Sequence, residues 1–387
     1  MPMWLGIGAL RREAISVKRA NDNAEMPKDE DEQESASAAS PSAGMPRVAN
    51  RSQTTGPDNC FICGASIPEG SPDRTEEHVF PQWLLEMASL RVSSVSTLTT
   101  QRIPYRRVKV PCCATCNGKD FSAIEQRVRT AFKGGIAAVR QLSRRDLFLW
   151  LGKVYYGLIY ADSLRPLDPS RQLGRRLVPA DHLREQVFHH FLLQAASGAV
   201  TWQPAEPGPA SFLIYQCQTG PEPEMNFDYG DDLFLPLISL RVGEVGLISV
   251  LQDQGDMETI REPRLDAARS LRLHPTQFRE VFAMVRYLAR EYWQNQKHVI
   301  VWGQGQATAT VVFTPRPDRP SRGRVDVAEY APLLAETLGV GIESVFNGTG
   351  VLAFTFTASG EPMHIPWPDG AIAGFDGHPL WPAEVQP

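Results

Sequence analysis

Two C-x2-C pairs, Cys60-Phe-Ile-Cys63 and Cys113-Ala-Thr-Cys116, enclose an acid–imidazole pair, Glu77-His78, and the second pair runs directly into Asn117. Four cysteines in two such pairs are enough to close a tetrahedral zinc site. Four thiolates leave zinc no open position, so the metal there would be a structural staple. The other groups suit different chemistry. A neutral imidazole takes a proton from water near pH 7. A carboxylate and an amide suit a hard cation, Mg²⁺ or Mn²⁺, which keeps several waters and stabilises charge on a phosphate and on its leaving oxygen. Together these are the groups that metal-assisted hydrolysis of a phosphodiester needs.

For those groups to meet, the elements around them must be short and sharply ended. A strand is expected over 75–79, stopped by Pro81. Neighbouring residues on a strand point to opposite faces, so Glu77 and His78 serve one phosphate only where the strand bends or ends. A helix is expected over 82–90, a Ser/Thr-rich loop over 91–102, and a strand over 106–110, where basic and apolar residues alternate. Asn117 then sits at the start of a helix over 121–142, whose N-terminus favours anions and which Gly134-Gly135 would break or kink. Cys113 keeps the two-residue spacing to Cys116 and is assigned as the ligand, its neighbour Cys112 as a small buried residue.

The chain has 387 residues, a formal net charge of −5 and six cysteines. Four of the six lie in C-x2-C pairs, which fits a reducing compartment and metal binding better than a disulfide framework. No run of 18 apolar residues appears, and the apolar start lacks a basic region before it. A membrane span and a secretory signal are therefore not expected, and the location inferred is cytoplasmic. The net charge conceals an asymmetry. Residues 60–145 hold 13 Lys and Arg against seven Asp and Glu, while the rest of the chain is acidic. Arg106, Arg107, Lys109, Lys119 and Arg127 are the expected phosphate contacts, supplying salt-sensitive, sequence-independent affinity for nucleic acid.

Residues 1–57 are charged, then small and polar, and read as a disordered tail. Beyond 145 come an apolar helix containing Leu147, Trp150, Tyr155 and Ile159, and a helix over 180–196 carrying His182, His189 and His190, which are read as structural. Strands follow at 211–216, 233–240 and 245–251, then a helix at 275–296, strands at 298–303 and 307–313, a helix at 327–338 and a strand at 350–357. Cys217 is read as a small buried hydrophobe. Without a regular βα alternation the class is α+β. The division expected is a tail, a zinc-bound segment over 58–145, and a larger α+β region over 146–387 for sensing, targeting or oligomerisation.

The segment Cys60–Cys63, Glu77-His78 and Cys113–Cys116-Asn117 resembles the HNH endonuclease family in its zinc-stapled treble-clef, ββα-metal form, over about residues 58–130. The stretch Glu77-His-Val-Phe-Pro-Gln-Trp83-Leu, with Cys116-Asn-Gly118 and Glu125 downstream, is similar to a branch of uncharacterised and defence-associated members. The resemblance implies Glu77 and Asn117 as ligands of a catalytic Mg²⁺ or Mn²⁺, and His78 as the base that activates water. DNA is favoured over RNA as substrate. One position departs from the family: its middle Asn lies nine residues before the last motif residue, where this chain has Val108. That Asn braces the loop and orients the histidine, a task left to Arg107 or a backbone carbonyl. The alternative is a non-catalytic zinc-stapled module that binds nucleic acid or protein.

Overall fold

A computed structural model describes residues 55–90, 93–96, 102–167, 176–232, 234–292, 297–306, 308–314, 325–367 and 373–377. The expected tail lies, up to residue 54, outside them. After the first cysteine pair come β1 (Arg74–His78), α1 (Gln82–Met87), the short strands β2 (Ser94–Ser96) and β3 (Arg102–Pro104), a 3-10 turn and β4 (Lys109–Cys113). A π-helical turn, Cys116–Phe121, leads into α2 (Ser122–Lys133), α3 (Ile136–Val139) and α4 (Arg144–Leu164). Then follow α5 (Ala180–Glu185), α6 (Val187–Leu193), β5 (Val200–Gln203), β6 (Ser211–Cys217), β7 (Phe227–Asp232), β8 (Leu237–Val242) and β9 (Val245–Val250). The remaining elements are α7 (Pro263–Arg269), β10 (Arg272–Leu273), α8 (Pro275–Tyr292), β11 (His298–Trp302), β12 (Ala309–Phe313) and α9 (Val327–Leu338). The architecture is mixed α+β.

β1 pairs antiparallel with β4, setting Glu77 opposite Val110 and His78 opposite Lys109. A five-stranded sheet has the order β10-β6-β9-β8-β7, and a three-stranded one the order β11-β12-β5. Helix α4 is the axis on which the first part of the chain packs. Ser143 caps it, accepting from the Asp146 amide at 3.1 Å, and every residue from Asp146 to Asp162 is buried. Trp150 stacks on Trp83 of α1 at 5.8 Å and meets Phe132 of α2 at 5.4 Å. Gly157 permits the close approach of the segment after β1, because a Cβ there would lie 3.0 Å from Val79 Cγ2. Tyr160 donates to the Gly56 carbonyl at 2.9 Å. One hydrophobic cluster runs through these residues from Cys60 to Phe313, so the boundary expected at 145 lies inside a shared core. A second cluster joins α8 and α9 to residues of the five-stranded sheet.

Several elements differ from expectation. The strand expected at 106–110 begins only at Lys109, because Tyr105–Arg107 forms a 3-10 turn closed by Val108 N–H on the Tyr105 carbonyl. The alternation there arises from Arg106 and Arg107 reaching solvent while Val108 and Val110 are buried. The loop expected at 91–102 contains β2, and the helix expected at 180–196 is divided between α5, α6 and a 3-10 turn. Residues 350–357 form no strand. Their backbone turns back on itself through bridges Phe346–Val351 and Phe356–Pro362, and the Phe354 amide donates to the buried Glu280 carboxylate. Strand β7 was unexpected because its sequence is acidic; Arg241 and Arg279 neutralise Asp228, and Arg286 neutralises Asp232. The break at Gly134-Gly135 is as expected, with Gly135 at φ 78° between α2 and α3.

His189 on α6 fixes the other side of α4. Its Nε2 lies 3.0 Å from the Gly152 carbonyl oxygen, and burial pushes its pKa down to about 4. An unfolded histidine titrates near 6.5, so between about pH 6.5 and 4 the unfolded chain holds more protons and stability is lost as the pH is lowered. Urea unfolding should show a loss of roughly 3 kcal/mol from this residue between pH 7 and pH 4. His189→Gln should remove this share of the loss and leave those of His190 and His274, which burial also lowers to about 4; an unchanged slope would remove the assignment.

Candidate functional site

The four predicted cysteines converge. Gly64 adopts φ 68°, which a glycine accepts without strain, and its N–H closes the first turn on the Cys60 carbonyl at 2.8 Å. Phe61 N–H then bonds the Pro111 carbonyl at 2.9 Å, tying that turn to the strand that carries Cys113. The sulfurs of Cys60, Cys63, Cys113 and Cys116 lie within 4.8 Å of one another, with Cys63 and Cys113 3.8 Å apart. Sulfurs bound at about 2.3 Å to a tetrahedral zinc would be about 3.8 Å apart. The donor set therefore fits a structural metal ion such as zinc. Cys112 sits beside it, its sulfur 3.9 Å from that of Cys60. Crowding divides the protons unevenly: contact with Cys116 holds Cys113 low, while contact with Cys113 pushes Cys63 and Cys116 up. A divalent cation replaces those shared protons.

Beside the cluster, Asn117 occupies the π-helical turn and crosses to β1. Its Nδ2 donates to Thr75 Oγ1 at 3.1 Å, and the Thr75 hydroxyl donates in turn to the Cys112 carbonyl at 2.8 Å. Thr75 and Glu77 share one face of β1 by strand alternation, so the amide and the acid belong to the same side. With Nδ2 committed, Oδ1 is the Asn117 atom that remains to bind a cation. His78 is the last residue of β1. Burial lowers its pKa first and Lys109 adds to the effect, so the ring is neutral near pH 7. Val108 is fully buried, and its carbonyl accepts from Val79 N–H at 3.0 Å. A backbone carbonyl thus braces the residue after His78.

Glu77 has a partner on α4. The Lys153 ammonium contacts Oε1 of Glu77 and Oε1 of Glu125, which projects from α2. Lys153 is 1% exposed and lies over the Phe121 ring at 5.9 Å. Burial raises the Glu77 pKa and Lys153 opposes it. Burial alone would lower the Lys153 pKa, but Glu125 and Glu77 outweigh it and hold it above the usual value. A charge in an apolar core costs several kcal/mol unless paired, which the two carboxylates provide here.

The predicted basic residues divide three ways. Arg106, Arg107 and Lys109 line an open depression with Glu76, whose carboxylate is 2.9 Å from Lys109 Nζ. Lys119 is exposed on the π-helical turn. Arg127 is engaged elsewhere, bound through two nitrogens to Asp146 of α4 at 2.8 and 2.7 Å. Lys153 was not foreseen from the sequence. The signal available was a single lysine inside an otherwise apolar helical run, Leu147 to Ile159.

Among the described residues, no helix is long and apolar enough to cross a membrane. No family model, curated protein or solved structure matches the chain. Elemental analysis of the purified protein should find one tightly held metal ion per chain. Cys116→Ala should lose it together with several kcal/mol of stability. A metal-free protein with unchanged thermal stability would contradict the staple.

Proposed function

We propose that the chain is a metal-dependent endonuclease of HNH type that hydrolyses phosphodiester bonds in DNA. The observation that supports this most is the side-chain bond from Asn117 to Thr75, which sets an amide beside Glu77's face of β1, next to a four-cysteine cluster and the end of the strand at His78. The paired strands β1 and β4 followed by α2 suit the ββα-metal, treble-clef arrangement, with zinc as its staple. Glu77 and Asn117 would hold Mg²⁺ or Mn²⁺, which supplies Lewis-acid stabilisation of charge on the phosphate and on the departing oxygen.

The chain's own residues do the rest. His78, neutral near pH 7, takes a proton from water as the water oxygen bonds to phosphorus. The bond from phosphorus to the 3′-oxygen breaks, and that oxygen is protonated from solvent. The products are 5′-phosphate and 3′-hydroxyl ends. Arg106, Arg107 and Lys109 bind backbone phosphates beside His78, Lys119 adds a contact on the π-helical turn, and Arg127 chiefly secures α2 to α4. The larger α+β region recruits a target, senses a signal or dimerises, in a defence or restriction role.

A second reading, a zinc-stapled binding module without catalysis, is favoured by one observation: Lys153 already neutralises Glu77. His78→Ala separates the two. As a general base, His78 should be worth about 10²–10⁴-fold in cleavage rate, with little change in DNA affinity. Equal cleavage by the variant, or none by the wild-type protein on plasmid, single-stranded DNA or RNA, rejects the nuclease reading. Binding tests the basic surface separately. The double variant Arg106→Ala/Arg107→Ala should reduce the slope of log affinity against log salt by about 2, whereas an unchanged slope would remove these residues from the interface.

A further inference from the structure

Lys153 stands where three elements converge: β1 supplies Glu77, α2 supplies Glu125, and α4 supplies the ammonium itself. Its neighbours on α4, Leu149, Trp150, Tyr156 and Gly157, are buried and carry no charge. The ammonium is shut off from water, its side chain being 1% exposed. It meets Oε1 of both carboxylates, and each carboxylate has a second oxygen with which to bind a cation. One or two carboxylates are also the protein ligands by which Mg²⁺ is usually held.

We infer that Lys153 is a positioning residue of this site, whose ammonium fills the place between Glu77 and Glu125 that a second divalent cation would otherwise take. The inference rests on the reading of Glu77 as a metal ligand. With Lys153 in place, Glu125 is withheld from the metal, Glu77 is fixed through one oxygen, and the site takes one divalent ion. Without it, two like charges face each other in a poorly solvated space, which favours capture of a cation.

The test is Mn²⁺ titration of the zinc-loaded, full-length protein, followed by the electron paramagnetic resonance signal of free Mn²⁺. Wild type should bind one Mn²⁺. Lys153→Met, nearly isosteric and uncharged, should bind a second or hold Mn²⁺ at least tenfold more tightly. Lys153→Arg, which keeps the charge, should behave as wild type, and adding Glu125→Gln to Lys153→Met should abolish the gain. A folded Lys153→Met protein, judged by zinc content and near-UV circular dichroism, with wild-type Mn²⁺ binding would overturn the inference. Should that variant not fold, Glu125→Gln alone decides: unchanged binding supports the inference, and a tenfold loss overturns it by making Glu125 a ligand. The outcomes separate from those of the nuclease reading. Mn²⁺ binding that responds to Lys153 in a protein without cleavage activity sinks only that reading. Cleavage by wild type with Mn²⁺ binding indifferent to Lys153 sinks only this inference. A wild type that binds no Mn²⁺ sinks both.

Discussion

The burial of α4 is the constraint on which the rest of the structure depends. A helix covered from Asp146 to Asp162 has no solvent face, so each neighbour is fixed by the shape and charge it meets there. The gap at Gly157 admits Val79, one residue past His78. The indole of Trp150 anchors α1 and α2 through Trp83 and Phe132. Its buried charges do the same work: Asp146 takes Arg127 of α2, and Lys153 takes Glu125 of α2 and Glu77 of β1. The cysteine cluster fixes the small β1–β4 unit from one side, and α4 fixes it from the other.

This arrangement changes how the segment over 58–145 is to be understood. Its ligands and candidate catalytic groups are local in sequence, but one carboxylate of the site is tethered to a residue beyond that segment. Tyr160 reaches back to the Gly56 carbonyl, and Phe80 packs edge-on against Tyr229 of β7. A perturbation of the five-stranded sheet therefore has a packed route to the bend that follows His78, through Phe80, Tyr105 and Phe227.

The sequence was most legible where the determinants are local. Two C-x2-C pairs and a glycine after the first specify their own turns, and Gly134-Gly135 weakens a helix by its own local cost, about 1 kcal/mol per glycine. The helix at 327–338 was visible because Asp326 caps it and Gly339 ends it. Legibility failed where a distant partner decides the outcome. Asp228 and Asp232 make β7 look like a loop until three arginines from β8 and α8 are brought to them. The apolar run at 350–357 reads as a strand, yet it is spent covering α8 and Glu280. Lys153 could be noticed in the sequence, but its link to Glu77 spans 76 positions and no periodicity encodes it.

The central claim is that Glu77, His78 and Asn117 form a hydrolytic site and not merely a scaffold for binding. Analysis of the ends left on plasmid DNA after incubation with the full chain and Mg²⁺ or Mn²⁺ tests it most directly. A hydrolytic site of this kind should leave metal-dependent breaks with 5′-phosphate and 3′-hydroxyl ends, which a ligase rejoins without prior treatment. Intact plasmid, or breaks bearing 3′-phosphate ends, would contradict it.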